Sequence, residues 1–145
     1  MMRILLATDG SPHALRAAAF VARLTREVRE AEVTVVNVGH VPTVAFGGPG
    51  AGAMVDFGIL EEGLERAGHE ILDTTVLELT GVDAPVVKEY RRGDPASQIL
   101  EAAKAKGADL IVIGSRGLGQ LGGLILGSVS ERVLHAAHTP VLIVR

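Results

Sequence analysis

The sequence predicts an α/β fold: an open, parallel, five-stranded sheet in the order 3-2-1-4-5, with helices on both faces. Four short runs rich in β-branched residues scarcely alternate in polarity, which is typical of parallel strands buried on both faces. Amphipathic stretches separate these runs and are expected to form helices that connect the parallel strands by right-handed crossovers. With 145 residues and 48% hydrophobic residues, the chain is expected to form one domain over residues 1–145.

The strands are taken in chain order. The clear runs cover residues 4–7, 33–38, 110–113 and 141–144, and a weaker third strand is expected over 85–90. Together with the intervening helices they give the order βαβαβαβαβ. Strands 1 and 4 then lie side by side where the strand order reverses, which is where such sheets bind ligands.

Helix starts are marked by capping residues that precede a proline. Ser11-Pro12 and Asp94-Pro95 each combine an N-cap side chain with proline at the first helical position. Ser11 is expected to act as a cap alone. The second helix is expected over about 54–79, the third ends near 106–107, and the fourth follows Gly127-Ser128 and ends near 135–138.

The predicted strand order makes the third and fifth strands the two edges of the sheet. Charged residues lie in and directly after the third strand and discourage its pairing with another chain: Lys88, Glu89, Arg91 and Arg92. The fifth strand carries no charge before Arg145. We therefore expect this strand to pair with a second copy, giving a homodimer. The alternative is that a loop or helix covers this edge.

Composition excludes several classes of function. Without cysteine, the chain has no disulfide framework, thiol catalysis or cysteine-based metal site. A net charge of −3 and 3% aromatic residues remove the electrostatic and stacking case for a nucleic-acid partner. No apolar run is long enough for a signal peptide or a membrane span, so a cytoplasmic protein without a membrane partner is expected.

Glycine is the unusual component: there are 18, well above the usual share of ~7%. Four lie within residues 47–52, in a 39–53 loop that is either a lid or a plain insertion. Six lie within residues 114–127, directly after the fourth strand. A glycine-rich connection between strand and helix lets backbone N–H groups approach phosphate oxygens.

Side chains of this second glycine cluster fit the same chemistry. Arg116 is its only fixed cation and can lie along a phosphate chain. Ser128 and Ser130 supply hydroxyl groups where the fourth helix begins, next to the partial positive charge of the helix N-terminus.

Three known templates fail. Gly122 to Gly127 has the spacing of a P-loop, but Ser128 occupies the lysine position. A G-x-G-x-x-G motif begins at Gly117, but it follows the fourth strand and lacks the acidic ribose ligand about 20 residues further on. A phosphate-accepting receiver domain needs clustered acids, whereas Asp9 stands alone.

The spacing Gly114-x2-Gly117-x9-Gly127-Ser128 resembles the ATP-binding signature of the universal stress protein family. Residues 4–11 and 139–144 resemble that family's first strand and turn and its last strand, so the resemblance covers essentially the whole chain. It implies a Rossmann-like, adenine nucleotide alpha hydrolase-like fold. It also implies ATP bound between strands 1 and 4 and a dimer through the last strand.

The resemblance also implies site residues, carried over by position. Adenine and ribose would lie near Ala7, Thr8 and Asp9 at the end of strand 1, and Val38 would contact the adenine. Ribose and phosphates would be lined by Ile113, Gly114 and Gly117. The phosphates would be held where the fourth helix starts, by Gly127, Ser128, Val129 and Ser130. The Asp9 carboxylate can accept hydrogen bonds from ribose or the adenine amino group, and its charge can attract a divalent ion. ATP is therefore expected with Mg²⁺ or Mn²⁺, with no residue assigned as a metal ligand.

The expected function is that of an ATP-binding, homodimeric stress-response protein with little or no hydrolysis and an unidentified regulatory partner. A weak ATP hydrolase or phosphotransferase and a nucleotide-independent dimerisation module are the alternatives. No acid lies between Gly114 and Ser130, so no catalytic residue is assigned. His13 is isolated in the sequence and has no assigned role.

Overall fold

The computed structural model describes residues 1–41, 56–117 and 126–145. The elements in these ranges alternate as predicted: β1 (Met2–Ala7), α1 (Pro12–Glu27), β2 (Ala31–Gly39), α2 (Phe57–Leu77), β3 (Val86–Arg92), α3 (Pro95–Lys106), β4 (Leu110–Gly114), α4 (Ser128–Ala136) and β5 (Val141–Val144). The sheet has the order β3-β2-β1-β4-β5, and all four pairings are parallel. The predicted fold class is therefore confirmed.

The predicted helix starts are confirmed where capping residues mark them. Ser11 Oγ accepts a hydrogen bond from the Ala14 N–H, and Asp94 accepts one from the Ser97 N–H. Gly107 ends α3 in the left-handed conformation (φ 59°), which glycine adopts without steric cost. The described part of α2 begins after the cap Asp56 and ends at Leu77, so it is shorter than predicted. Position 54 lies outside the described residues.

The weak third strand was predicted two residues too short at its end, because Arg91 and Arg92 also pair with β2. The charged side chains of β3 do not prevent its pairing with β2, because each forms an ion pair within the chain. Glu89 pairs with Arg91 at 2.6 Å and with Lys106 at 3.1 Å, and Arg92 pairs with two glutamates of α2. At the opposite edge, all four residues of β5 are half-buried. Pairing of β5 with a second copy stays a prediction.

Helices cover both faces of the sheet, which explains why the strand runs scarcely alternate in polarity. Ile4 and Leu6 of β1 belong to the core under α1 and α2. Leu5 and Ala7 belong to the core under α3 and α4. Since neighbouring residues of a strand point to opposite faces, the buried part of β1, residues 4–7, is apolar at every position.

The site-bearing edge of the sheet is where β1 and β4 end side by side. Ala7 is the register partner of Ile113, and the connection after β1 leads to β2 on one side whereas the connection after β4 leads to β5 on the other. The crevice that such a reversal opens lies beyond the carboxyl ends of these strands. Within the described ranges, no helix has the length and apolar character needed to cross a membrane.

Candidate functional site

A cavity of about 250 Å³ opens beyond the carboxyl ends of β1 and β4. Every site residue proposed from the sequence lines it: Ala7, Thr8, Asp9, Val38, Ile113, Gly114, Arg116, Gly117, Gly127, Ser128, Val129 and Ser130. Tertiary structure thus gathers three distant segments at one place. The part each residue takes in binding a ligand stays a prediction.

The two sides of the cavity differ in chemistry. On the side of β2 and α3, the wall is largely apolar and includes residues that the sequence analysis did not select: Val36, Asn37, Pro95 and Ile99. On the side of the β4–α4 connection, the wall is more polar and is lined by Arg116, two glycines and the first residues of α4: Gly117, Gly127, Ser128, Val129 and Ser130. A ligand with a flat apolar part and an anionic part matches this division.

The start of α4 lies in this wall without a side-chain cap. Gly127 occupies the N-cap position, so no side chain caps the helix there. The hydroxyl of Ser130 donates to backbone carbonyls instead, at 2.9 Å to Gly127 O and 3.0 Å to Ser115 O. Because the first backbone N–H groups of a helix have no partner within it, this uncapped end can receive an anion.

Thr8 stabilises the end of β1 with its side chain. Thr75 Oγ1 donates to Ile71 O at 2.8 Å, so the 2.8 Å bond between the two threonine hydroxyls must use the proton of Thr8. Thr8 Oγ1 also accepts from the Gly10 N–H. The hydroxyl of Thr8 is therefore already committed within the protein.

Asn37 fixes the backbone at the same point. Its side-chain amide donates to Thr8 O at 2.9 Å, and the residue is only 5% exposed. Sequence reasoning missed Asn37, although a signal existed: it is a polar residue in an otherwise buried apolar strand. A buried amide in such a strand needs a hydrogen-bond partner, and here the partner is the backbone carbonyl of Thr8, a residue of the cavity wall.

Asp9 reaches from β1 towards the glycine-rich connection. Its Oδ1 accepts from the Ser11 N–H at 3.0 Å. Its Oδ2 lies 2.4 Å from the position that a Cβ on Gly117 would take. The absence of a side chain at Gly117 therefore gives the carboxylate its place in the cavity wall.

Ser11 does more than the predicted capping. Besides capping α1, its fully buried hydroxyl donates to Arg116 O at 3.3 Å. This bond joins the start of α1 to the connection after β4. The expectation that Ser11 acts as a cap alone was thus wrong, because a hydroxyl can accept and donate at the same time.

Ser115 connects four parts of the structure, and the sequence analysis did not select it. Its N–H donates to Val144 O at 2.7 Å, and its carbonyl accepts from the Gly127 N–H at 2.7 Å. Its hydroxyl lies 2.9 Å from Nδ1 of His13. Ser115 thereby holds the two described ends of the connection together, and His13, which had no assigned role, lies against it.

Helices α3 and α4 are joined beside the cavity by an ion pair. Arg132 donates to both carboxylate oxygens of Asp94, at 2.7 and 2.8 Å. These bonds, with those from Ser97, hold the pKa of the Asp94 carboxyl well below its usual range. Among the residues that the structure describes, no three His, Asp or Glu side chains form a group that could hold a metal ion.

Fold and cavity together define a class: α/β proteins with a ligand site where the strand order of a parallel sheet reverses. Comparison with known families makes this specific. The model of the universal stress protein family matches residues 1–145. The chain belongs to the universal stress protein family.

Individual relatives agree with this assignment. A universal stress protein of Thermus aquaticus is 43% identical over 147 residues, which cover 98% of this chain and 97% of that protein. Among solved structures, the protein MJ0577 aligns with a TM-score of 0.81 and 26% identity over 99% of this chain and 94% of its own. A universal stress protein of Archaeoglobus fulgidus in complex with dAMP aligns with a TM-score of 0.67 and 26% identity, over 100% and 98% of the chains.

Proposed function

We propose that this protein binds ATP in the cavity between β1 and β4 and acts as a homodimeric regulatory protein in stress responses, with little or no hydrolysis. The observation that carries the proposal is that one cavity gathers every residue selected from the sequence. A relative crystallised with dAMP supports an adenine nucleotide as the ligand.

The two walls of the cavity give the nucleotide an orientation. Adenine fits the apolar side formed by Val36, Val38 and Ile99. The phosphates fit the opposite side, near Arg116 and the uncapped start of α4. Asp9 lies between these sides, where its carboxylate can accept a hydrogen bond from a ribose hydroxyl.

Phosphate charge is expected to be neutralised partly by Mg²⁺ or Mn²⁺. Arg116 is the only fixed cation in the sequence from 114 to 130, whereas a triphosphate carries several negative charges. Since no group of acidic or histidine side chains among the described residues forms a metal site, the phosphates would supply most of the ligands.

Binding without efficient hydrolysis follows from what the glycine-rich connection contains. Phosphoryl transfer needs a group that positions or deprotonates the attacking water and a cation on the transferred phosphate. The sequence from 114 to 130 has no Asp, Glu or His, and Ser128 stands where a P-loop has lysine. Phosphate release that Asp9→Ala abolishes would contradict this and establish a hydrolase.

The binding proposal is tested on protein freed of nucleotide by unfolding and refolding. Thermal unfolding and calorimetry are measured with ATP, GTP or adenosine, with and without Mg²⁺. At an ATP concentration of 100 times Kd, the free energy of unfolding should rise by about 2.7 kcal/mol. Unchanged stability at millimolar ATP with Mg²⁺ would overturn the proposal and favour a nucleotide-independent dimerisation module.

The dimer proposal rests on the unequal edges of the sheet. β5 presents an uncharged, half-buried apolar edge, whereas the charges of β3 are paired within the chain. Val141→Lys adds a charge to β5 and should give a monomer in sedimentation equilibrium. The matched control is Val87→Lys on β3, where the side chain is already exposed, and it should leave the dimer intact. A Val141→Lys protein that remains dimeric would contradict pairing through β5.

A further inference from the structure

The imidazole of His13 lies behind the cavity wall and is connected to the start of α4 through a single residue. His13 Nδ1 is 2.9 Å from the hydroxyl of Ser115. The carbonyl of Ser115 in turn accepts from the Gly127 N–H and from Ser130 Oγ. His13 is therefore two hydrogen bonds away from residues that line the proposed phosphate end of the cavity.

The backbone of His13 also packs directly against the end of β4. A Cβ placed on Gly114 would lie 2.7 Å from the carbonyl carbon of His13 and 3.0 Å from its Cβ. This close approach limits how far the histidine can move relative to the turn that follows β4. A positive charge on the imidazole of His13 would therefore lie at a fixed position beside the cavity.

Charged groups from three segments act on this imidazole. Burial lowers the pKa of His13, and the cations Arg16 on α1 and Arg116 on the β4–α4 connection lower it further, whereas Asp9 after β1 raises it. The lowered pKa favours the neutral imidazole in the absence of a ligand. Two of these groups, Arg116 and Asp9, line the cavity themselves, so a ligand there lies within electrostatic reach of His13.

We propose that His13 is a positioning residue that senses the charge of the phosphate chain: binding of ATP is coupled to the uptake of one proton by His13. The coupling rests on the proposed nucleotide site. A polyphosphate beside Arg116 and the start of α4 offsets the cations that keep the imidazole neutral. The imidazolium then adds a positive charge behind the Ser115 turn, which favours ligands of higher negative charge.

The proton comes from solvent and no covalent bond between heavy atoms changes. Protonated His13 carries N–H groups on both ring nitrogens, so Nδ1 can only donate to Ser115 Oγ. Ser115 Oγ then becomes the acceptor, and its own proton turns to another acceptor. The hydrogen bond is kept with its direction fixed, so the contact between α1 and the β4–α4 connection is retained in the bound state.

The sign of the pH dependence follows from linkage. If the bound ligand raises the pKa of His13, affinity for ATP increases as pH falls from above the bound-state pKa through the window between the two pKa values. It levels off below the pKa of the free protein. The slope reaches at most about tenfold per pH unit for one proton. The effect should be largest for ATP, smaller for AMP and absent for uncharged adenosine.

The test is calorimetry of ATP, AMP and adenosine binding near pH 7 in buffers of different ionisation enthalpy, which reports the protons taken up. The proteins are the wild type, His13→Gln, and the control His69→Gln, whose histidine is half-exposed on α2. The wild type and His69→Gln should take up more protons with ATP than His13→Gln does, with no difference for adenosine. A purely structural role would instead change Kd by the same factor at every pH.

A second measurement does not depend on a variant. The pKa of His13 is followed by NMR in the wild-type protein with and without ATP and is expected to be higher with ATP. Equal proton uptake by wild type and His13→Gln, or an unmoved His13 pKa while ATP binds, would overturn the inference but not the nucleotide site. Absence of ATP binding to the wild type would overturn both.

Discussion

Gly114 and Gly127 lie at opposite ends of the same connection, yet a side chain would meet different surroundings at each. A Cβ on Gly114 would lie 2.7 and 2.9 Å from backbone atoms of His13 and Ala14. A Cβ on Gly127 would meet its nearest neighbour, the Arg116 Cα, at 3.3 Å. The direct packing of α1 on the end of β4 therefore leaves no room for a side chain at 114, whereas a small side chain at 127 needs only a shift of a few tenths of an ångström.

This difference teaches that one sequence signature can combine two separate physical demands. Glycine at 114 lets α1 pack directly on the end of β4, whereas glycine at 127 leaves an uncapped helix start that faces the cavity. Between them, Gly117 has no side chain, and the carboxylate of Asp9 occupies the space that a Cβ would take. Substitution by alanine at each position separates these demands.

The largest effect is expected for Gly114→Ala. Neither His13 nor Ala14 can yield without moving the helix backbone, so the added methyl group overpacks the contact between α1 and β4. The free energy of unfolding should fall by about 1–3 kcal/mol. Urea denaturation followed by circular dichroism measures the loss. An unchanged urea midpoint would show that α1 does not pack on β4 as closely as described.

An intermediate effect is expected for Gly117→Ala, and on binding rather than folding. The new Cβ would lie 2.4 Å from Asp9 Oδ2, and a carboxylate can rotate away at low cost. If Asp9 holds the ribose, affinity for ATP should fall about tenfold, or 1.4 kcal/mol. The same substitution in an Asp9→Ala protein should have little further effect. Fully additive losses would refute the contact between the two residues.

The smallest overall effect of the three is expected for Gly127→Ala. Its φ of −64° suits alanine, so the cost is about 0.5–1 kcal/mol, from a poorer N-cap residue and a tight contact of the new Cβ with the Arg116 Cα. Its affinity for ATP should fall more than its stability, because the methyl group lies near the start of α4. Gly63→Ala is the control: the position is exposed on α2 with no atom within 4 Å. That change should stabilise by up to about 1 kcal/mol and leave binding unaltered.

Much of the fold was predictable because its determinants are local in the sequence. Apolar runs that scarcely alternate define β1 and β4, and Ser11-Pro12 and Asp94-Pro95 mark the starts of α1 and α3. The ends of α2 and β3 were less predictable. At β3, Arg91 and Arg92 are polar in sequence, and only their partners on α2 and α3 and within β3 make a strand there acceptable.

The sequence by itself determined the alternation of strands and helices and the helix caps, since periodicity and capping are properties of neighbouring residues, and the glycine spacing with its family resemblance pointed to part of the cavity lining. Only the tertiary structure decided which of those residues are already engaged. The pairs His13–Ser115, Thr8–Thr75 and Asn37–Thr8 join residues 102, 67 and 29 positions apart. Such hydrogen bonds depend on how whole elements pack, and a hydroxyl or imidazole carries no local pattern that tells its partner in advance.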